Sequence, residues 1–246
     1  MPLTSRDLPV PERALAVGAH PDDIEFGAGA TLAKWSAAGC EVSMVVCTDG
    51  SKGTWNAAAD LAALVATRQQ EQRAAAVALG ATGRVAFLGR VDGELESDLA
   101  TRGAVARCIR ELRPDVVLGH DPWQRYRLHP DHRHAGWLVV DGVVAARDPH
   151  FFPEHGMAHH RPSALLLFEA DEPDHAEDVT GQVDAKVAAL EAHRSQFEST
   201  MGITDADADA DAGRQRFRRR VQDRAAEAGR SAGVAAAEQF KLLADL

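Results

Sequence analysis

Two short tetrads concentrate the groups able to do chemistry. His20-Pro21-Asp22-Asp23 ends the apolar run Ala14-Leu15-Ala16-Val17-Gly18-Ala19, and His129-Pro130-Asp131-His132 follows the apolar run Val116-Val117-Leu118-Gly119 after one loop. Adjacent carboxylates repel, so Asp22 beside Asp23 asks for a compensating positive charge. A dication meets that need most simply, because it neutralises one carboxylate and changes the protonation of its neighbours. Imidazole and carboxylate are both ordinary zinc ligands. For the first tetrad alone, an Asx-type turn capping a helix, with His20 incidental, is an equal alternative.

The second tetrad shifts the balance. Pro130 suits the first position of a helix and Asp131 its first turn. His129 and His132 are three residues apart and share one side of a helix entry. His20, Asp23 and His132 together make a set of two imidazoles and one carboxylate with a position left for water, the pattern of a catalytic rather than a structural zinc. The same set suits ferrous iron. Asp22 is left over beside the metal and is the candidate general base. His129 is the candidate proton donor or oxyanion group, with Asp131 orienting its ring. Either histidine alone would read as a surface residue. The paired tetrads at matching strand ends favour the metal.

The elements that must position these residues alternate. Strands are expected at Ala14–Ala19, Val42–Cys47, Val85–Leu88, Val116–Gly119 and Ala164–Phe168, and helices at Gly29–Ala38, Asp60–Leu79, Leu99–Leu112 and Asp131–Ala146. Gly39 and Gly80 mark two helix exits. Continuous apolar strands separated by helices imply an α/β fold, a Rossmann-like doubly wound, mostly parallel sheet with helices on both faces. Such sheets build sites at the carboxyl ends of their strands, where the first and fourth would flank the switch point. The chain of 246 residues reads as a single domain, residues 1–246, with a core of about 14–197. Gly181–Phe197 reads as one further helix. Thr204–Gly213, alternating Asp and Ala, reads as a flexible acidic loop with no apolar surface to bury. Residues 198–246 otherwise form a C-terminal helical extension, with an Arg-rich segment at 214–224 read as a solvated helix face and a short amphipathic end at Ala237–Leu246.

Composition excludes several classes. A formal net charge of -10 argues against nucleic-acid binding. No apolar run reaches the roughly 18 residues of a membrane span, and Met1–Arg13 has no signal core. Three cysteines, Cys40, Cys47 and Cys108, lie in apolar segments without metal spacing, as reduced core thiols of a cytoplasmic protein do. Gly27-Ala28-Gly29-Ala30-Thr31 lacks the third glycine of a dinucleotide fingerprint, since Leu32 stands there.

The stretches AHPDDIEFGAGATLAKW and LHPDHRHAG resemble the LmbE/PIG-L family of zinc-dependent N-deacetylases. The resemblance spans roughly Ala14 to Gln196. It implies a hydrolase that removes an acetyl group from an N-acetylglucosamine conjugate, a small-molecule N-acetylated sugar. It makes His20, Asp23 and His132 the metal ligands, Asp22 the base, His129 the acid or oxyanion group and Asp131 its partner. TRQQEQRAAAVALGA resembles a family helix that would bring Arg68 to the sugar, and FLGRVDGEL a segment in which Asp92 would contact it. KVAALEAHRSQF resembles a C-terminal family helix, with His193 and Gln196 at shared positions. Arg68 also follows Leu61, Leu64 and Val65 on one helix face, where an arginine wants a polar or anionic partner. Asp92 in VDGE is equally a turn former, and His193 reads as a packing residue. Glu25 is displaced by Ile24 from the place where many members carry an acidic residue. An amidase cleaving thiol-sugar conjugates and a non-catalytic sugar-binding protein are the alternatives, and homo-oligomerisation is left open.

Overall fold

The computed structural model describes residues 3–203 and 210–246. Among them eight strands form one sheet: β1 (Ser5–Arg6), β2 (Arg13–Gly18), β3 (Glu41–Thr48), β4 (Val85–Arg90), β5 (Val116–His120), β6 (Ala164–Phe168), β7 (His175–Asp178) and β8 (Ala237–Ala244). The helices are α1 (Asp23–Ala37), α2 (Leu61–Ala78), α3 (Leu99–Leu112), α4 (Pro130–Arg147), α5 (Val183–Glu191) and α6 (Ala210–Ala232). The strand order is β1-β7-β8-β6-β5-β2-β3-β4. Only β8 runs antiparallel to its neighbours, β6 and β7.

Strand alternation divides the core into two layers. Ala14 and Ala16 of β2 pack with Val42, Met44 and Val46 of β3 under α1 and α2. Leu15 and Val17 pack with Val45 and Cys47 under α3 and α4. Burial on both faces is why these strands read as continuous apolar runs. The chain leaves β2 through α1 for β3 and β4, then crosses through α3 to β5 on the other side of β2. The carboxyl ends of β2 and β5 thus bound the crevice where the two connections diverge.

The five expected strands and four expected helices are present within a few residues, with one large shift. α1 starts at Asp23, six residues before Gly29. Asp22 takes a left-handed backbone (φ 100°) and its carbonyl accepts from the Phe26 N–H at 3.0 Å, so the turn passes straight into helix. The expected helix Gly181–Phe197 is broken into α5, a 3-10 turn at Arg194–Gln196 and a π turn at Phe197–Met201. His193 leaves helical geometry (ψ 63°) to bury its ring completely.

The sheet also extends beyond the expected core of 14–197. β1, β7 and β8 add a second wing, and the amphipathic end is a strand inside the sheet. β7 is polar and short, so it carries no strand signal. Its charges pair within the strand and with distant segments: the His175 ring lies 3.0 Å from Glu177 Oε1 on the same strand and 2.8 Å from Ser5 Oγ, and Lys34 Nζ donates to Glu177 Oε2 at 2.7 Å. On β8, Phe240 is fully buried between Phe168 and His175, its register partners on either side. Phe240→Ala is expected to destabilise the fold by about 3–5 kcal/mol, read as a lower urea midpoint. A loss under about 1 kcal/mol would show that β8 is peripheral.

Residues 204–209 of the expected acidic loop lie outside the described residues. The rest of that segment, 210–213, belongs to the start of α6. The Arg-rich face of α6 is tied back to the protein. Arg218 donates two hydrogen bonds to Glu191, at 2.7 and 2.6 Å, and Arg220 donates to the Met201 carbonyl. Phe217 and Val221 on the same helix pack with Val187, Leu190 and Met201. The three cysteines are free and buried. Burial pushes the Cys47 thiol up to about 12, which makes it inert.

Candidate active site

His20 stands just beyond β2, Asp23 opens α1 and His132 lies in the first turn of α4. Their polar atoms converge. His20 Nδ1 is 3.2 Å from Asp23 Oδ2 and 3.2 Å from His132 Nε2, and His132 Nε2 is 3.3 Å from Asp23 Oδ1. Around an ion with ligands at ~2.0–2.1 Å, the edge of a tetrahedron is ~3.3–3.4 Å, and the three side chains approach one another at that spacing, Asp23 meeting His20 through Oδ2 and His132 through Oδ1. Two imidazole nitrogens and a carboxylate are also the right donor set. Gly136 lets α4 approach closely enough: a Cβ there would meet the His120 carbonyl oxygen and the Pro122 nitrogen at 2.8 Å.

The rear nitrogen of His20 is held as a ligating imidazole requires. His20 Nε2 lies 3.1 Å from Asp131 Oδ2 and 3.2 Å from Asp92 Oδ1. Asp131 is fully buried and also accepts from the backbone N–H groups of Gly93 (2.6 Å) and Leu95 (3.2 Å). These contacts differ from the expected pairing of Asp131 with His129. Its carboxylate orients His20 and fastens the loop after β4, and no hydrogen bond joins it to His129 among the described residues. Packing decides this, since the Asp131 side chain points under α4 while the His129 ring stays on the exposed side. That ring meets His20 edge-on (4.6 Å between centroids) and stacks on His132 (5.1 Å).

Asp22 is buried behind the cluster, with Oδ2 lacking a hydrogen-bond partner and lying 3.6 Å from Arg68 Nη2. Arg68 is buried on the inward face of α2 with Gln72, Ala75 and Ala76, whereas Leu61, one of the residues expected to share its face, is exposed. Its guanidinium donates to the carbonyls of Gly50 (2.9 Å) and Pro21 (2.6 Å), so it fastens the loop after β3 to the turn that carries Asp22. Asp92 accepts from the Lys52 N–H at 3.0 Å. His20, Asp22, Asp23, Arg68, Asp92, His129 and His132 all line one cavity of about 290 Å3, closed on its other side by Lys52, Gly53, Gln196 and Thr200.

Without a cation the cluster polarises itself. Burial opposes charge on His20, but Asp23, Asp131 and Asp92 raise its pKa well above the ordinary imidazole value. Burial would lift Asp23, yet His132, His120 and His20 hold it well below the usual carboxylate range. Burial pushes Asp22 up to about 6 against the pull of Arg68, with Asp23 adding to the rise. Burial, His20 and His132 lower the pKa of His129, so at neutral pH its ring is uncharged and retains one N–H to donate.

The sequence reading passed over three residues that complete the surroundings. His120 ends β5, with Nε2 3.2 Å from Asp23 Oδ2 and Nδ1 3.4 Å from Glu169 Oε2. Glu169 follows β6 and lies 2.6 Å from Arg127 Nη1, which lies 2.9 Å from His132 Nδ1. His120 and Glu169 each stand at the carboxyl end of a strand, the signal that singled out His20.

The model of the family described as PIG-L, GlcNAc-PI de-N-acetylase, matches residues 15–143. The chain belongs to this family. A diacetylchitobiose deacetylase of Thermococcus kodakarensis is 33% identical over 189 residues, covering 76% of this chain and 70% of its own. A 1D-myo-inositol 2-acetamido-2-deoxy-alpha-D-glucopyranoside deacetylase of Streptomyces avermitilis is 37% identical over 175 residues, covering 61% of this chain and 59% of its own. Among solved structures, the N,N'-diacetylchitobiose deacetylase of Pyrococcus horikoshii superposes with a TM-score of 0.84 at 29% identity, covering 95% of this chain and 84% of that one. The family match spans both tetrads, and the candidate metal cluster lies within it.

Proposed function

We propose that the protein hydrolyses the acetamide of an N-acetylated amino-sugar conjugate, using a divalent metal, zinc in the first instance, held by His20, Asp23 and His132. The observation that supports this most directly is the convergence of those three side chains at 3.2–3.3 Å beside the buried carboxylate of Asp22, whose Oδ2 makes no hydrogen bond. When bound, such a cation supplies Lewis-acid activation of the carbonyl and of water. Asp22 accepts the proton of the attacking water, and His129 donates its N–H to the developing oxyanion. The proton taken up by Asp22 then passes to the amine nitrogen as the C–N bond breaks, leaving acetate and the free amine. Asp92 faces the sugar from the cavity wall, and Arg68 acts through the Asp22 turn as well as lining the site. A non-catalytic sugar binder would have no use for a base in the place of Asp22. The free, buried cysteines suit a cytoplasmic enzyme.

The test is acetate release from N-acetylglucosaminyl conjugates, including diacetylchitobiose and an inositol glycoside, after chelation and reloading with zinc or ferrous iron. Turnover that disappears on chelation and returns with metal is expected. A thiol-sugar amide cleaved in preference to every acetamide would redirect the assignment to an amidase.

A further inference from the structure

A buried polar chain behind Asp22 is not used by the proposed chemistry. Glu25 of α1, Gln72 of α2 and His193 after α5 are each fully buried. Gln72 Oε1 accepts the backbone N–H of Asp22 at 3.1 Å, and Gln72 Nε2 donates to Glu25 Oε1 at 2.6 Å. His193 Nε2 lies 3.5 Å from Glu25 Oε2. The turn carrying His193 is pinned in its own right: the N–H and Oγ of Ser195 donate to the Glu71 carboxylate at 2.8 and 2.6 Å, and Gln196 Nε2 donates to the Gly53 carbonyl. This chain is poorly satisfied as a core. Glu25 Oε2 and both nitrogens of the His193 ring lack hydrogen-bond partners, and apolar residues of the same shape would serve stability at least as well. Asp22 at its inner end has a left-handed backbone that a residue with a Cβ adopts only under constraint.

We propose that Gln72, Glu25 and His193 are positioning residues that clamp the left-handed turn at Asp22 and so aim its carboxylate into the cavity. The proposal rests on the reading of Asp22 as the base. Gln72 holds the Asp22 N–H and Glu25 holds the Gln72 amide by hydrogen bonds, and the His193 ring stands against Glu25 at 3.5 Å as its ionic neighbour. Each link is separated by many residues in sequence, so the clamp forms only when α1, α2 and α5 are packed together.

The experiment compares metal-loaded His193→Leu, His193→Gln and Gln72→Met with the wild type. The glutamine variant places an amide N–H near the His193 Nε2 position and rebuilds the contact to Glu25. Leu and Met are expected to lower kcat about 10- to 100-fold, the effect of misplacing a reacting group by a fraction of an ångström to an ångström. KM and metal content should stay within about threefold, and His193→Gln should recover kcat to within about threefold of wild type. Crystal structures of the Leu and Met variants should show Asp22 outside the left-handed region or its carboxylate turned from the cavity. Unchanged kcat in soluble, metal-loaded Leu and Met variants overturns the clamp. So does a loss that His193→Gln fails to recover, or an unmoved Asp22 in the crystals. If the wild type turns over no acetamide, the functional reading fails separately, and the position of Asp22 in the variant crystals decides the clamp. Should His193→Leu fail to fold, Gln72→Met carries the same comparison.

Discussion

Asp22→Asn is expected to keep its metal and lose turnover. Asp22 is adjacent in sequence to the proposed ligand Asp23, yet the two carboxylates sit in different surroundings. Asp23 is flanked by three imidazoles within 3.3 Å, whereas Asp22 Oδ2 has no hydrogen bond and lies 3.6 Å from the Arg68 guanidinium. General-base help contributes roughly 10²–10⁴-fold, so kcat should fall by that much while KM and bound metal change little. Near-normal kcat at saturating metal would refute the base assignment even with the metal site intact. The metal-free protein gives a second reading of the same group. Burial places the Asp22 pKa at about 6, above the unfolded carboxylate range. Its contribution to stability is therefore complete below about pH 4 and is lost as pH rises through about 6. With chelator present, Asp22→Asn should melt above the wild type at pH 7–8, by up to ~2–3 kcal/mol, and the gap should close towards pH 4. A variant less stable than wild type at pH 8 would mean that the charged carboxylate is favoured by its site. In the loaded enzyme the cation favours the carboxylate, so the acidic limb of the rate profile should lie below pH 6 and belong to the coupled site.

His20→Ala and His132→Ala are expected to strip the metal. Each removes one of the three side chains that face one another at 3.2–3.3 Å. Asp131→Asn gives the contrast. Asp131 touches only the rear nitrogen of His20 and two backbone N–H groups, and losing a partner that orients a ligand costs about 10–100-fold in metal affinity. The two alanine variants should lose more than about 100-fold, with about one divalent metal per wild-type chain as the reference. Competition against a chelator of known affinity ranks all three. Undiminished metal in both alanine variants would remove this site. Retention in His20→Ala alone would point to His120, which also stands 3.2 Å from Asp23 Oδ2.

The sequence by itself determined where chemistry starts and what kind of scaffold presents it. Apolar runs buried on both faces, each followed by a helix, set a parallel sheet, and in such a sheet the residues just past a strand are brought to one edge. That rule singled out His20, Asp22 and Asp23 as candidates, with a capping turn as an equal alternative until the second tetrad, with His132 at the helix entry after Pro130, was set beside them. These are local signals, carried by neighbours within one turn of chain. Only the tertiary structure decided which atoms those residues face. Asp131 serves His20, 111 residues away, rather than His129 two positions before it, because the burial of one side chain and the exposure of the other are settled by how α4 lies on β5. Glu25, Gln72 and His193 come together from three helical regions, and β8 completes the sheet by pairing with β6 and β7, whose partner residues lie 59 or more positions earlier. Contacts of that separation leave no periodicity in the chain. They are set by packing, which selects among polar partners by shape and distance once the backbone is in place.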